Sequence, residues 1–96
     1  MMSATAATIM LVEDDPSLGQ LLAEELEMDG YAVDRAATVQ EARGLLQQQR
    51  PALIVSDLRL PDGDGMQVLA FQQAEHPGIP FIVITAFGTV DQAVEA

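Results

Sequence analysis

The sequence has no cysteine, no lysine and no long uncharged apolar run, and the first and last of these absences exclude particular kinds of site and classes of protein. Without cysteine, neither disulfides nor thiolate metal sites are possible, which fits a reducing compartment. No run reaches the ~18 apolar residues of a membrane span. The opening MMSATAAT has neither the positive charge nor the apolar core of a signal peptide. We therefore expect a cytoplasmic protein with no membrane contact.

Positive charge is scarce throughout the chain. Four arginines oppose 15 aspartates and glutamates, which gives a formal net charge of -11. Because this charge repels nucleic-acid phosphates and anionic membranes, we expect no direct nucleic-acid contact by this chain. Cations and basic protein surfaces are the partners that the charge favours.

The length and composition predict one small folded domain. The chain has 96 residues, of which 49% are hydrophobic and 20% charged. That size leaves room for one core, and the apolar content argues against disorder. We expect residues 1–7 to be a disordered leader and residues 8–96 to form the domain.

Short apolar runs alternate with helical patterns along the sequence. Three of the four runs are continuously apolar, which indicates strands covered on both faces; the runs lie at 8–12, 31–36, 52–56 and 81–85. Helix starts are indicated by Asp15, by Thr38 and near Asp64, and a fourth helix is expected from Thr89 to Ala96. This order predicts an α/β fold, a doubly wound parallel sheet with helices on both faces.

Acidic side chains follow two of the predicted strands. Glu13 and Asp14 end the first run, Asp57 ends the third, and Thr85 ends the fourth. Ligands bind beyond the carboxyl ends of parallel strands, and neighbouring strands lie about 4.8 Å apart. If the first and third strands are neighbours, their carboxylates suit Mg²⁺, beside which an aspartate can attack a phosphoryl group. The Thr85 hydroxyl could then bond a phosphoryl oxygen.

Each of these acids also has a purely structural explanation. Acids before a helix often cap it, although only Asp15 is placed as the cap. Asp57 could be an ordinary turn residue at the end of a strand. Asp62 and Asp64, in the PDGDG segment, look like solvated turn residues.

Three motifs, LVEDD, LIVSDLRLPDGDG and PFIVITAFG, occur in an order and at spacings that resemble the receiver domains of two-component response regulators. The resemblance spans roughly residues 8–96, and ITAFGTVDQAVEA is most similar to receivers of the nitrogen-regulation type. It implies a flavodoxin-like receiver fold with strand order 2-1-3-4. It also implies a signalling switch in transcription regulation, rather than a metabolic enzyme, that takes a phosphoryl group from a histidine kinase.

The resemblance assigns a role to each motif residue. Asp57 would be the phospho-acceptor and a Mg²⁺ ligand, and Asp14 would bind the ion directly. Glu13 would hold it directly or through water, and the backbone carbonyl of Arg59 would complete the protein ligands.

The remaining roles concern the phosphoryl group itself. Thr85 would be the switch hydroxyl, Ala86 would leave room for the phosphoryl group, and the backbone of Leu58 would line the same pocket.

The sequence departs from the family at its end. Family receivers carry a fifth strand with a lysine, then a fifth helix, and neither occurs here. We expect a truncated receiver whose output domains are absent from this chain and whose phosphorylation is impaired, because a charge that stabilises the transferring phosphoryl group is missing. The strand at 81–85 would be an open apolar edge, which favours a homodimer or higher self-association.

Two other functions remain open at this point. One is a Mg²⁺-dependent phosphohydrolase with an aspartyl nucleophile; enzymes of the dehalogenase type typically place a second Asp two residues later, where this chain has Arg59. The other is a non-phosphorylated protein-binding module of the same fold, which a failure to bind Mg²⁺ would favour.

Overall fold

Strands and helices alternate along the chain in the computed structural model, which describes residues 7–84 and the backbone of residues 90–95. The elements are β1 (Thr8–Val12), α1 (Pro16–Met28), β2 (Ala32–Ala36), α2 (Val39–Gln48), β3 (Leu53–Asp57), β4 (Arg59–Leu60), β5 (Gly63–Asp64), α3 (Gly65–Glu75), β6 (Pro80–Ile84) and β7 (Val90–Glu95). Within the described ranges, every helix falls short of the length and apolar content that crossing a bilayer requires.

The main sheet has the strand order β2-β1-β3-β6-β7. The first four strands in this order pair in parallel, which confirms the predicted doubly wound sheet, with β6 as the fourth predicted strand. Val12 of β1 lies opposite Ser56 of β3, so these two strands end side by side. The residues that follow them therefore meet at one edge of the sheet.

The main core lies between the sheet and helices α2 and α3. Met10 and Val12 alternate with Ile9 and Leu11 along β1, and all four are buried, as expected for a strand covered on both faces. The core cluster consists of Met10, Val12, Ala36, Val39, Ala42, Leu46, Ile54, Leu60, Val68, Leu69, Ile79, Phe81 and Val83. Helix α1 packs against β1 and β2. This packing fixes the strand ends on which the acidic residues sit.

The predicted fourth helix, from Thr89 to Ala96, is wrong over residues 90–95. This segment forms β7, which pairs antiparallel with β6. Pairing satisfies the backbone groups along the side of β6, and Val90 and Val94 are β-branched residues that favour strands. The predicted open edge at 81–85 is therefore also wrong for β6, because β7 covers it.

A two-stranded ladder follows β3, and the sequence patterns did not predict it. Arg59 pairs with Asp64 and Leu60 with Gly63, in antiparallel register. We call this unit, with Pro61 and Asp62 at its tip, the 59–64 hairpin. It connects the end of β3 to the start of α3 and so borders the predicted site.

Candidate metal and phosphoryl-acceptor site

Glu13 directly follows β1, and a backbone hydrogen bond to β2 fixes its position. Its N–H donates to the Ala36 carbonyl at 2.9 Å, which continues the pairing with β2 and buries the side chain to 6% exposure. The Asp15 N–H donates to Glu13 Oε2 at 3.0 Å. Among the described residues, Oε1 is buried and has no hydrogen-bond partner. A buried carboxylate oxygen without a donor is costly unless a proton or a cation satisfies it.

The pKa of Glu13 reflects this environment. Burial raises the pKa to about 6, and the nearby carboxylates of Asp57 and Asp14 raise it as well, while the hydrogen bond from the Asp15 N–H opposes the shift. Like charges and desolvation both disfavour the ionised form. A cation placed here would reverse that preference.

The three consecutive acids have separate positions. Asp15 Oδ1 accepts the N–H groups of Ser17 at 2.9 Å and Leu18 at 3.2 Å, so it caps α1, with Pro16 at the first helical position. This confirms the predicted cap. Asp14 is exposed, whereas Glu13 is buried. The acids before α1 that are not used as its cap are thus the two that face the strand end.

Asp57 occupies the end of β3 and is 9% exposed. Its Oδ1 accepts the Arg59 N–H at 3.2 Å. The following residue, Leu58, is half-buried; its N–H donates to the Ile84 carbonyl at 2.9 Å and its carbonyl accepts the Gly65 N–H at 2.8 Å. The backbone that directly follows the acceptor position is therefore fixed by the neighbouring strand and by the first residue of α3.

Gly65 permits this close approach. A Cβ atom at this position would lie 2.6 Å from the Asp57 carbonyl oxygen and 3.1 Å from Ser56 Oγ. Only a residue without a side chain fits against the Asp57 backbone. The Asp-Gly pair that begins α3 thus supports the acceptor position as well as starting the helix.

The structure brings together the three predicted carboxylate ligands. One oxygen from each of Glu13, Asp14 and Asp57 lies within 4.8 Å of the others. Hard oxygen donors in this number suit Mg²⁺, which commonly keeps several waters and one or two carboxylates. The unsatisfied Glu13 Oε1 provides a lone pair for such an ion or for one of its waters, so the donor set fits the metal.

A cleft of about 260 Å³ opens beside Glu13 on the side away from β3. Its lining residues are Glu13, Arg35, Ala36, Ala37 and Glu41. The Arg35 guanidinium also donates to the Pro16 carbonyl at 3.3 Å. The cleft gives solvent a route towards the otherwise buried carboxylate.

Of the other predicted site residues, the structure describes two and leaves two outside its described ranges. Leu58 and Arg59 directly follow Asp57, at the base of the 59–64 hairpin. Thr85 and Ala86 lie outside the described residues.

Asp62 was expected to be a solvated turn residue; it is exposed and lies in the turn at the tip of the 59–64 hairpin, but its side chain also makes a contact that was not predicted. Its Oδ1 accepts the Val39 N–H at 2.8 Å and its Oδ2 accepts the Gln40 N–H at 3.1 Å, which joins the tip of the 59–64 hairpin to α2. These bonds lower the pKa of Asp62; the bond from Val39 has the larger effect and the bond from Gln40 the smaller one. The two partners are 23 and 22 residues away, and local sequence patterns contain no signal for such a contact.

The family comparison agrees with this arrangement. The model of the response regulator receiver domain matches residues 9–96. Among curated relatives, the transcriptional regulatory protein GlrR of Escherichia coli K12 is 41% identical over 95 residues, which cover 99% of this chain and 21% of GlrR. The regulatory protein LuxO of Vibrio vulnificus YJ016 is 42% identical over 86 residues, covering 90% of this chain and 19% of LuxO. The chain thus spans about a fifth of the length of these relatives.

Solved receiver structures share the fold. The non-phosphorylated HemR receiver domain of Leptospira biflexa is 42% identical, with a TM-score of 0.78 over 83% of this chain and 64% of that one. The receiver domain of the sensor histidine kinase PA1611 of Pseudomonas aeruginosa, described with magnesium coordinated in its active-site cleft, is 31% identical, with a TM-score of 0.79 over 85% and 69%. With the family model matching nearly the whole sequence, the chain belongs to the response regulator receiver domain family.

Proposed function

We propose that this domain accepts a phosphoryl group on Asp57, with Mg²⁺, and thereby switches an output domain in transcription regulation. The observation that carries the proposal is the convergence of Glu13, Asp14 and Asp57 within 4.8 Å, together with the buried Glu13 Oε1, which has no hydrogen-bond partner in the part of the chain that the structure describes. A solvated cluster of acids gives no reason to bury one of them without a donor.

Glu13, Asp14 and Asp57 would hold the ion, with the backbone carbonyl of Arg59 as a further ligand. When bound, Mg²⁺ supplies positive charge that offsets the repulsion between the carboxylates and the incoming phosphoryl oxygens. The residues themselves fix the acceptor: the Arg59 N–H orients Asp57 Oδ1, and Gly65 packs against the Asp57 backbone.

The proposed donor is the phosphohistidine of a histidine kinase. One Asp57 carboxylate oxygen forms a bond to phosphorus, while the P–N bond to the imidazole breaks and the imidazole nitrogen keeps the electron pair. The product is an aspartyl phosphate, and the released imidazole takes up a proton from solvent. This is phosphotransfer by a signalling switch, with later self-catalysed hydrolysis of the aspartyl phosphate.

Three further residues are proposed for the phosphoryl group. The Thr85 hydroxyl would bond a phosphoryl oxygen, Ala86 would leave the space it needs, and the Leu58 backbone would line the pocket. The sequence as given contains no lysine to balance the phosphoryl charge. We therefore propose that phosphotransfer by this chain alone is impaired.

Regulation of transcription would be carried out by other parts of a longer protein. GlrR is a transcriptional regulatory protein, and the matched residues are 21% of its length. The net charge of -11 disfavours contact between this domain and DNA, so we assign nucleic-acid binding to an output domain. The histidine kinase is the proposed partner of the sheet edge that carries Glu13, Asp14 and Asp57.

Intact-mass spectrometry with phosphoramidate tests the proposal, because this small donor has the same P–N bond as phosphohistidine. Two proteins are compared with and without Mg²⁺: this chain, and a chimera extended by the segment that follows the matched residues in GlrR. We expect the chimera to gain one phosphoryl group only with Mg²⁺, this chain to gain little, and Asp57→Asn to abolish the gain.

The other outcomes separate the competing functions. If the proteins release inorganic phosphate from a phosphate ester at a sustained rate, the phosphohydrolase replaces the switch. If the chimera is not modified while a control receiver is, Asp57 is not a competent acceptor and the non-phosphorylated binding module is favoured.

A further inference from the structure

We propose that Asp62 is a positioning residue for the acidic site: by joining the 59–64 hairpin to α2, it fixes the backbone that carries Asp57 and Arg59. The inference rests on the proposed function, since the group being positioned is the metal and phosphoryl site. It assigns a role in that site to a residue whose side chain lies outside it.

The first observation is the two-point contact itself. Both carboxylate oxygens of Asp62 accept backbone hydrogen bonds, at 2.8 Å from Val39 and 3.1 Å from Gln40. Charged acceptors on backbone N–H groups at a helix start form strong bonds that also complement the helix dipole. The two bonds restrain both the distance and the orientation of the hairpin tip.

The second observation is that the base of the same hairpin forms the acceptor site. The Arg59 N–H donates to Asp57 Oδ1 at 3.2 Å, and the Gly65 N–H donates to the Leu58 carbonyl at 2.8 Å. Only the two ladder pairs, Arg59 with Asp64 and Leu60 with Gly63, separate this base from the tip. A movement of the tip therefore reaches the Arg59 peptide through this short ladder.

The third observation is that α2 has its own cap. Thr38 Oγ1 accepts the Glu41 N–H at 3.0 Å, and Glu41 Oε1 accepts the Ala37 N–H at 2.8 Å. The helix start is thus stabilised by local residues, as the Thr38-to-Glu41 pattern predicted. The contact from Asp62 adds a long-range link between two loops at the carboxyl edge of the sheet.

Together these contacts form one path. Helix α2 holds Asp62, Asp62 holds the hairpin, and the hairpin orients Asp57 and Arg59. Residues that orient metal ligands from outside the ligand set commonly change metal affinity when they are removed. Asp62 would act in this way through backbone geometry.

Isothermal titration of Mg²⁺ into this chain and its variants tests the inference. We expect Asp62→Ala to weaken Mg²⁺ binding by about tenfold. Asp62→Asn removes the same charge but keeps one acceptor oxygen, so it should weaken binding less. Equal losses in the two variants would mean that only the charge matters, which would overturn the positioning role.

Thr38→Ala is the matched structural control. It removes a cap from the same helix start without releasing the hairpin, so we expect its Mg²⁺ affinity to stay within about twofold of the wild type. If Thr38→Ala weakens binding as much as Asp62→Ala, general destabilisation of α2 explains the effect and the inference is wrong.

Amide NMR gives a second readout that a merely structural residue would not change. We expect Mg²⁺ to shift the Val39 and Gln40 amide resonances in the wild type and to leave them unmoved in Asp62→Ala. If these amides never respond to Mg²⁺ although it binds, the inference fails and the proposed function stands. If the wild type does not bind Mg²⁺ at all, the proposed function fails and the inference with it.

Discussion

Glu13 and Asp62 show how position alone separates two carboxylates of one acidic chain. Glu13 is buried among acids, one of its oxygens has no donor within residues 7–84, and its pKa is raised to about 6. Asp62 is exposed and accepts hydrogen bonds from two backbone N–H groups. These bonds lower its pKa, and the bond from Val39 has the largest effect. A bound cation would therefore favour the ionised form of Glu13, because it would supply the positive charge that the surrounding carboxylates do not.

Replacing Glu13 by Gln should change how stability depends on pH. Without Mg²⁺, folded Glu13 binds its proton more tightly than the unfolded chain does. Its contribution to the free energy of unfolding is therefore fully present below the unfolded pKa and lost as pH rises through about 6. As pH rises from about 4 to 7, the free energy of unfolding of Glu13→Gln should therefore increase by about 1 kcal/mol relative to that of the wild type, after allowance for solvent screening.

Urea unfolding in EDTA at several pH values measures this difference. Since saturating Mg²⁺ stabilises only the form that binds it, adding Mg²⁺ at pH 7 should reverse the advantage of Glu13→Gln. A pH-independent difference between the two proteins would contradict the assigned environment of Glu13.

Sequence reasoning identified the three converging carboxylates but not the residues that orient them. Asp15 could be separated from Asp14 because Pro16 marks the first helical position. The role of Asp62 could not be predicted, since its partners, Val39 and Gln40, are distant in sequence and offer only backbone groups. Contacts of this kind depend on tertiary packing rather than on local pattern.

Among the helices and strands, apolar runs and caps predicted the four parallel strands of the main sheet and the first three helices. Strand β1 follows the run at 8–12, and α3 begins at Gly65 with Asp64 as its cap. The 59–64 hairpin was missed because two-residue strands have no periodicity to detect. Residues 90–95 were predicted as helix because local pattern does not register an available strand partner such as β6.

Two glycines in helices should respond in opposite ways to alanine. In Gly65→Ala the new Cβ would meet the Asp57 carbonyl oxygen at 2.6 Å, so the backbone must shift, at a cost of about 1–3 kcal/mol. In Gly44→Ala the Cβ meets nothing within 4 Å, and helix propensity should add about 0.5–1 kcal/mol.

Chemical denaturation of both variants checks this pair, and Mg²⁺ titration extends it. Gly65→Ala should also weaken Mg²⁺ binding because Asp57 is displaced, whereas Gly44→Ala should not. Equal effects of the two substitutions on stability would contradict the close approach of α3 to the acceptor strand.

At the scale of the whole molecule, apolar exposure favours self-association while the charge opposes it. Strands β2 and β7 are the outer strands of the main sheet as the structure describes it. Large apolar residues are exposed on α1 and just before β2, namely Leu21, Met28 and Tyr31. The net charge of -11 makes copies repel one another at low ionic strength.

Because of the exposed apolar residues, we expect sedimentation velocity over a range of protein and salt concentrations to show a dimer or larger species. We expect its fraction to rise with protein concentration and with NaCl, since salt screens the repulsion. A single monomeric species at every concentration and salt level would contradict the predicted self-association.

Mapping the position of the phosphoryl group tests whether Asp57 is the acceptor. The chimera extended with the GlrR segment is treated with phosphoramidate and Mg²⁺, then with borohydride, which reduces an aspartyl phosphate to homoserine. Peptide mass spectrometry then locates the homoserine. The proposed role of Asp57 predicts homoserine at position 57 and nowhere else. Homoserine at Asp14 or another position, or phosphoryl uptake that persists in Asp57→Asn, would contradict it.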